Sequence, residues 1–567
     1  MTRQTLIGGG VVSALAVLFM ANAGGYEMRL MSLAGIYTIA VLGYQMALGH
    51  AGVLSLAQGA FFGVGAYVTG ILTTQHNLDG AAAMLAAMLV AAVLAALVAI
   101  PVLRLKTHYF ALATLAIAEV VHLLAVNWTT VTGGANGIYG VPPLVLFSIE
   151  IASGWPLLVT VWSAVALAAG LVFWRTSGRR GLRLDLARET PLAADVVGIN
   201  RRRQRFELFV LSAILAAVAG SFQAHAIGVV SPAVTDFALM VTILVATLVG
   251  GQQRILGAVI GGILVIHLPE WFRAFDVFYL IAYGAALLLV IIVAPKGIAG
   301  FWPRRHLQET HAAQPPPALC CRQASLHCAN LRKHFGGVKA VDGITARFTT
   351  GQITGVIGPN GSGKSTLLNL LTGLIRADGG TITLDHKEVT SLSADTRARA
   401  GLARAFQHPD LVREHRVWEA VMAAIPLSKD SVQAAKDAAA ACAHVDLQGQ
   451  AATLVEHLSP EGLRRLEIAR ALATVPDILL LDEPAAGLTA AEQDRLAVTL
   501  RRLADDGLAI IVVEHGMRFL LPLADTIICL DQGQVIATGP AAEIAENPEV
   551  IDCYLGRFEE AAKEAGK

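Results

Sequence analysis

Residues 1–302 carry little charge and divide into apolar runs of bilayer length, which limits what this chain can fold into more than any other feature. A helix needs roughly 20 mostly apolar residues to cross a hydrocarbon core. Within a bilayer only helices or closed barrels satisfy the backbone. Runs of this kind lie near 5–23, 30–48, 51–74, 81–103, 109–126, 156–174, 207–227, 234–250, 254–268 and 277–294, which predicts about ten spans. The glycine-rich third and ninth are alternatively re-entrant segments. The stretch holds 16 Lys/Arg and 11 Asp/Glu, out of 43 of each sign in the 567-residue chain. The other charges crowd into the C-terminal residues, so composition marks a domain boundary near residue 302 in a chain too long for one ordinary domain.

Basic residues favour the cytoplasmic side of membrane helices. With the N-terminus inside, the inner connections hold Arg104 and Lys106, then Arg175, Arg179, Arg180, Arg183, Arg188 and Arg201 to Arg205, then Arg254; the outer ones hold only Arg29 and Arg273. Arg3 and the apolar run after it are read as the first span, not as a cleaved leader. Within the inner stretch 175–206, residues Leu186 to Asn200 suggest one short amphipathic helix ending near Gly198, with a solvated basic loop as the alternative. The helix reading makes it a coupling element that docks on an ATP-using domain. Glu119 lies inside the fifth run with His122 one turn later. A carboxylate at that depth is a functional candidate, and an interhelical hydrogen bond is the plainer reading. The polar, glycine-rich stretch Asn127 to Ile138 is an outer gate, a docking loop or only a turn.

Net charge is zero and no basic stripe with interleaved aromatics is present, which excludes a nucleic-acid partner. Cys320, Cys321, Cys328, Cys442, Cys529 and Cys553 lack zinc-site spacing and are expected as free thiols. Residues 304–317 end in three prolines and form a spacer. An alternating strand and helix pattern follows, as in α/β domains. In it Gly355-Val356-Ile357 runs as a strand into Gly358-Pro359-Asn360-Gly361-Ser362-Gly363-Lys364-Ser365, and Thr366-Leu367-Leu368 continues as a helix. Glycines there let backbone N–H groups converge on phosphates, Lys364 reaches the β/γ oxygens, and Ser365 offers a hydroxyl to Mg2+. The strand Ile478 to Leu481 leads to Asp482, placed to hold the magnesium shell, and Glu483, placed to polarise the attacking water.

With these motifs in place, residues 320–567 resemble the ATP-binding cassette of ABC transporters. The resemblance implies that Phe335 stacks on adenine, that Gln407 is the Q-loop glutamine serving metal and catalysis, and that His515 contacts the γ-phosphate. Ser459, in Leu458-Ser459-Pro460-Glu461-Gly462, stands at the signature position and would contact ATP of a second subunit in trans. Arg465 to Arg470, Asp482 to Leu488 and the ending Asn547 to Gly556 look like the ATPase of Liv-type branched-chain amino-acid importers (LivG-like). Gly49 to Leu56, Ala60 to Tyr67, Thr132 to Ile138, Ser231-Pro232 and Val249 to Gly251 are similar to the LivM-like permease. The expected architecture is therefore a polytopic α-helical membrane permease over 1–302, a Pro-rich linker over 303–319, and an α/β P-loop cassette with a helical subdomain over 320–567.

The sequence departs from that pattern in three places. Glu461 replaces a glycine that normally admits the γ-phosphate, and like-charge repulsion there predicts a slow or degenerate site in trans. The interval from Gln407 to Leu458 suggests a trimmed helical subdomain, and Thr489 replaces the common acid or amide of the D-loop. The implied function is ATP-driven import, with Mg2+, of branched-chain amino acids or a related small solute. Urea, amides or small aromatic acids are alternatives, and an exporter half or a non-transporting regulatory ATPase are rivals of other classes. The resemblance also implies a second permease and ATPase, expected as a heteromer. An extracytoplasmic solute-binding protein and a bacterial inner-membrane location with cytoplasmic cassette and N-terminus complete the expectation.

Overall fold

The computed structural model describes residues 24–105, 107–146, 149–273, 278–302, 306 and 324–553. The first expected span, the prolines of the linker, Cys320, Cys321 and residues 554–556 lie outside them. The chain separates into two compact units, Met1–Thr176 with Arg202–Arg304, and Ser177–Arg201 with Arg305–Lys567.

The first unit is helical. Its helices are α1 (Gly25–Tyr44, continued by a wider turn over Gln45–His50), α2 (Gln58–Gln75), α3 (Gly80–Val102), α4 (Thr107–Asn127) and α5 (Trp155–Thr176). Two short helices of the other unit follow, α6 (Gly178–Glu189) and α7 (Pro191–Val196). The first unit resumes with α8 (Arg201–Ile227), α9 (Phe237–Gly250), α10 (Ile255–Trp271) and α11 (Tyr279–Val293). Each of the nine expected runs within the described residues is thus helical. Among the described residues, six helices are long and apolar enough to cross a membrane, and α9 and α10 are shorter apolar helices. The third run begins later than expected, because Ala51 to Ala57 form no helix.

With little hydrophobic drive between helices in lipid, small residues and buried hydrogen bonds hold such bundles. On α3 the alanines 83, 87, 91, 95 and 99 are fully buried at a four-residue spacing, a stripe that packs against α2. Helices α2 and α8 approach backbone to backbone: a Cβ on Gly220 would stand 1.9 Å from the Phe62 carbonyl oxygen. Thr69 donates to Ser221 (2.7 Å) beside that crossing. Gln58 donates to the carbonyls of Ala40 and Ser212 and accepts from the Ser212 hydroxyl. Gln45 donates to the carbonyls of Gly251 and Arg254, satisfying the turn between α9 and α10.

The fifth-run candidates separate. His122 makes the interhelical hydrogen bond, its Nδ1 2.9 Å from Thr235 Oγ1, whereas Glu119 is exposed on the outer side of α4. The stretch after Asn127 is a structured turn whose Ile138–Tyr139 pairs antiparallel with Val229–Val230.

Among its described residues the second unit contains two sheets. Strands β1 (Ser325–Phe335), β2 (Val338–Thr349), β4 (Gly379–Leu384) and β5 (Lys387–Glu388) form an antiparallel sheet in the order β2-β1-β4-β5. The other sheet runs β6-β7-β8-β3-β9-β10, built from β3 (Ile353–Ile357), β6 (Leu402–Ala405), β7 (Ile478–Asp482), β8 (Ala509–Val513), β9 (Thr526–Asp531) and β10 (Gln534–Gly539). It is parallel except at β9–β10. Its inner strands are continuous apolar runs because both faces are covered. Helices α12 (Lys364–Thr372), α13 (Ala394–Arg399), α14 (Val417–Ala424), α15 (Ser431–His444), α16 (Pro460–Leu472) and α17 (Ala490–Asp505) complete the labelled elements. Cys328, Cys442 and Cys529 are buried and form no disulfide.

The segment 177–201 packs as part of this unit, with Leu182, Leu186, Ala194, Val197 and Ile199 in one apolar core with α14. It is two helices, not the single one expected over 186–200. Pro191 offers no N–H and disfavours helix at the residue before it, so the chain breaks at Thr190.

Candidate nucleotide site

In the six-stranded sheet β6, β7, β8 and β3 lie side by side and parallel, so their carboxyl ends open on one edge, where α/β folds bind ligands. Each strand end carries a motif: Gln407 after β6, Asp482-Glu483 at β7, Glu514-His515 after β8, and the phosphate loop after β3. The register is explicit, with Asp482 opposite Val513 and Val513 opposite Val356.

The phosphate loop folds tightly between β3 and α12. A Cβ on Gly358 would meet the Leu530 carbonyl oxygen at 2.2 Å, and one on Gly363 the Ala340 carbonyl oxygen at 2.2 Å. Both glycines also have positive φ, so a side chain fits neither the space nor the backbone. Lys364 is buried and donates from Nζ to the carbonyls of Gly358 (2.7 Å) and Pro359 (2.9 Å), curling its ammonium back over the loop. Asn360, Gly361 and Ser365 are exposed, Thr366 is half-buried, and Ser362 is buried with Oγ lacking a partner. The amides of a helix start beneath an exposed glycine-rich loop suit phosphate oxygens.

Glu483 connects the other motifs. Its Oε2 accepts from Gln407 Nε2 (2.5 Å), and its Oε1 lies 3.1 Å from His515 Nε2. Its φ of +46° is a left-handed backbone for a non-glycine residue. Such backbone costs of the order of 1–3 kcal/mol and concentrates at functional positions. Next to it Glu514 is buried and accepts from the Ala485 (2.7 Å) and His515 (3.2 Å) N–H groups; burial pushes its carboxyl up. Arg464 of α16 donates to the carbonyls of Phe406 and Gln407, tying the glutamine loop to the signature helix. Sequence reasoning missed Glu514 and Arg464. Their only local signal is adjacency, Glu514 to His515 and Arg464 to the signature.

The oxygens of Ser365, Asp482 and Gln407 are a hard donor set that suits Mg2+, which is held mainly through phosphates and one or two carboxylates. Asp482 fits that role, since its ion pair with Arg404 engages Oδ2 and leaves Oδ1. Phe335 and Ser459 stand on other elements. Phe335 ends β1 half-exposed with Lys333 Nζ 5.4 Å from its ring centroid, and Ser459 caps α16 by accepting from Gly462 N–H (3.2 Å). Thr489 caps α17, bonding Glu492 through its N–H and hydroxyl.

Glu461 is compensated to a degree the sequence did not indicate. Its oxygens meet Arg465 (2.7 Å) and Arg495 (2.9 and 3.1 Å). The Arg495 hydrogen bonds, with Arg465 beside them, hold its carboxyl below the usual carboxylate range.

Comparison with known proteins agrees with this architecture. Residues 27–294 match the branched-chain amino acid transport system permease component, 341–486 the ABC transporter family, and 534–560 the branched-chain amino acid ATP-binding cassette transporter family. The high-affinity branched-chain amino acid transport ATP-binding protein LivG of Salmonella typhimurium is 36% identical over 251 residues, covering 41% of this chain and 98% of LivG. BraF of Pseudomonas aeruginosa, of the same description, is 35% identical over 248 residues, covering 41% and 97%. The lipopolysaccharide export ATP-binding protein LptB of Escherichia coli is 31% identical over 235 residues, covering 41% and 98%. A solved ABC-transporter cassette in its ADP conformation is 28% identical, covers 41% of this chain and 100% of its own, and has a TM-score of 0.39. The chain belongs to the branched-chain amino acid ABC transporter family, and joins that family's membrane permease component to its ATP-binding cassette in a single polypeptide.

Proposed function

We propose that this chain is the fused permease–ATPase half of an importer that uses ATP hydrolysis to take up branched-chain amino acids or a related small solute. The observation that carries this reading is the joint match of residues 27–294 and 534–560 to branched-chain amino acid transport families, on one chain with a complete phosphate loop. The likeness to an export ATPase shows why the cassette alone does not decide direction. The permease match carries that part.

In this reading Lys364 and the loop amides hold the β/γ-phosphates, and Phe335 stacks on adenine. Mg2+, when bound, neutralises phosphate charge; Ser365, Asp482 and Gln407 would hold it. Glu483 orients and polarises the attacking water, Gln407 and His515 fix the Glu483 carboxylate, and His515 reads the γ-phosphate. Ser459 acts on ATP of a second cassette. The assembly has a second permease and ATPase, different from this chain, and an extracytoplasmic binding protein that selects the solute. Its site is the bacterial inner membrane, with the cassette cytoplasmic, the expected division 1–302, 303–319 and 320–567, and 177–201 as the coupling segment.

The test is uptake of labelled leucine into ATP-loaded liposomes holding the assembled transporter and its binding protein. Glu483→Gln is expected to lower turnover by at least about 100-fold while ATP binding stays within about twofold, since only the water-polarising carboxylate is lost. Undiminished hydrolysis would remove Glu483 from its role. Uptake of urea or benzoate, with leucine ignored, would move the substrate class.

A further inference from the structure

Asp482, the carboxylate assigned to magnesium, shares the protein interior with a cation. Arg404, at the carboxyl end of β6, is 4% exposed and donates from one guanidinium nitrogen to Asp482 Oδ2 (2.7 Å). Another nitrogen donates to Asn369 Oδ1 (2.6 Å) on α12, the helix that starts at the phosphate loop. The guanidinium also stacks 4.8 Å from the centroid of the Phe406 ring. The fork thus spans three parts of the nucleotide site. It leaves Nε buried and unpartnered, so its place is set by the two carbonyl and carboxylate anchors, not by full satisfaction of its donors. Register explains the meeting. Strands β6 and β7 pair in parallel with Arg404 opposite Leu480, so the long side chain reaches two residues along to Asp482. Three residues after Arg404, Gln407 donates to Glu483. One strand end therefore delivers a cation to the metal carboxylate and an amide to the water-polarising carboxylate.

A guanidinium stays charged under all working conditions, and in a buried site like charges repel far more strongly than in water. Mg2+ and Arg404 therefore compete for the same carboxylate. We propose that Arg404 is a positioning residue that sets the affinity of Asp482 for the divalent cation. It keeps the carboxylate oriented, and it holds metal affinity low, so that Mg2+ enters with the nucleotide phosphates and does not settle on the carboxylate by itself. Because Arg404 and Gln407 share a strand end, movement of the glutamine loop alters how much of Asp482 is open to metal. The proposal rests on the ATP-site reading given above.

The experiment uses the full-length chain in detergent with Mn2+ as probe, its free ion counted by electron paramagnetic resonance in the presence of saturating AMP-PNP. Arg404→Gln removes the charge and keeps polarity; Mn2+ is expected to bind about tenfold more tightly. Arg404→Lys keeps the charge but cannot fork to both anchors, and is expected to shift affinity the same way by about two- to fivefold. Nucleotide binding in EDTA reports the phosphate loop alone and is expected to be unchanged in both variants. Its loss in the unsubstituted protein would instead overturn the ATP-site reading. Mn2+ affinity unchanged or weakened in Arg404→Gln, with EDTA binding intact, would make Arg404 a core residue only and overturn the proposal. Should Arg404→Gln fail to fold, Arg404→Lys decides by the same criterion.

Discussion

Glu461 shows how a single residue changes meaning once its neighbours are known. By position it places a carboxylate where a partner's γ-phosphate is expected, yet Arg465 and Arg495 surround it, so two positive charges face one negative. Arg495 is about half exposed, and pairs of that kind contribute at most about 1 kcal/mol, so the cluster matters for charge more than for stability. Glu461→Gln uncovers both guanidiniums. The KM for ATP of the assembled transporter is expected to fall about threefold, while the melting temperature stays within about 2 °C. A phosphate-release assay across ATP concentrations checks this; an unchanged KM would place Glu461 away from the partner's phosphate. The residue scale is also where sequence was most informative. Glu483, His515, Gln407 and Lys364 sit at fixed offsets in local motifs, whereas Arg404 lies 78 residues from Asp482 and no spacing rule pairs them.

Among the elements, α14 is one against which the segment 177–201 packs, α13 being another. All eight residues of α14 are buried. At its carboxyl end, Arg183 donates to the carbonyls of Ala423, Ala424 and Ile425, and Arg179 to those of Ile425, Pro426 and Lys429. Orphan carbonyls at a helix end carry partial negative charge and favour cations. At the other end His415 Nε2 lies 3.3 Å from Asp185 Oδ2, and His306 Nδ1 lies 2.8 Å from Glu419 Oε2. Arg183→Ala removes a buried cap, at about 1.5–3 kcal/mol for a charged hydrogen-bonding group. Basal ATP hydrolysis is expected to survive within about twofold while its stimulation by solute-loaded binding protein falls at least about fivefold. Equal stimulation before and after substitution, measured in liposomes, would show that the coupling runs elsewhere. In the sequence these arginines read only as inner-loop charge, because an arginine that caps a distant helix has the same local pattern as one in water.

At the scale of the whole molecule, one chain supplies one permease and one cassette, while in the proposed assembly its signature residue Ser459 serves a second cassette. The compensated but altered signature suits an asymmetric pair of ATP sites. Purified alone, the chain is therefore expected to lack a stable, ATPase-active homodimer and to gain activity on mixing with a homologous permease–ATPase, as light scattering with parallel phosphate release would show. An active homodimer would exclude the heteromer. Sequence alone determined the division into an apolar helical part and an α/β cassette, and it located the phosphate loop and the residues proposed as its catalytic partners. Burial preference adds up residue by residue, and catalytic motifs are contiguous, so both survive in a linear string. Only the tertiary structure decided between the docked and the solvated reading of residues 177–201, and showed that Gly220 admits the Phe62 backbone and that Arg404 and Asp482 meet. Those outcomes depend on strand register and helix crossings between distant residues, and no local pattern encodes them.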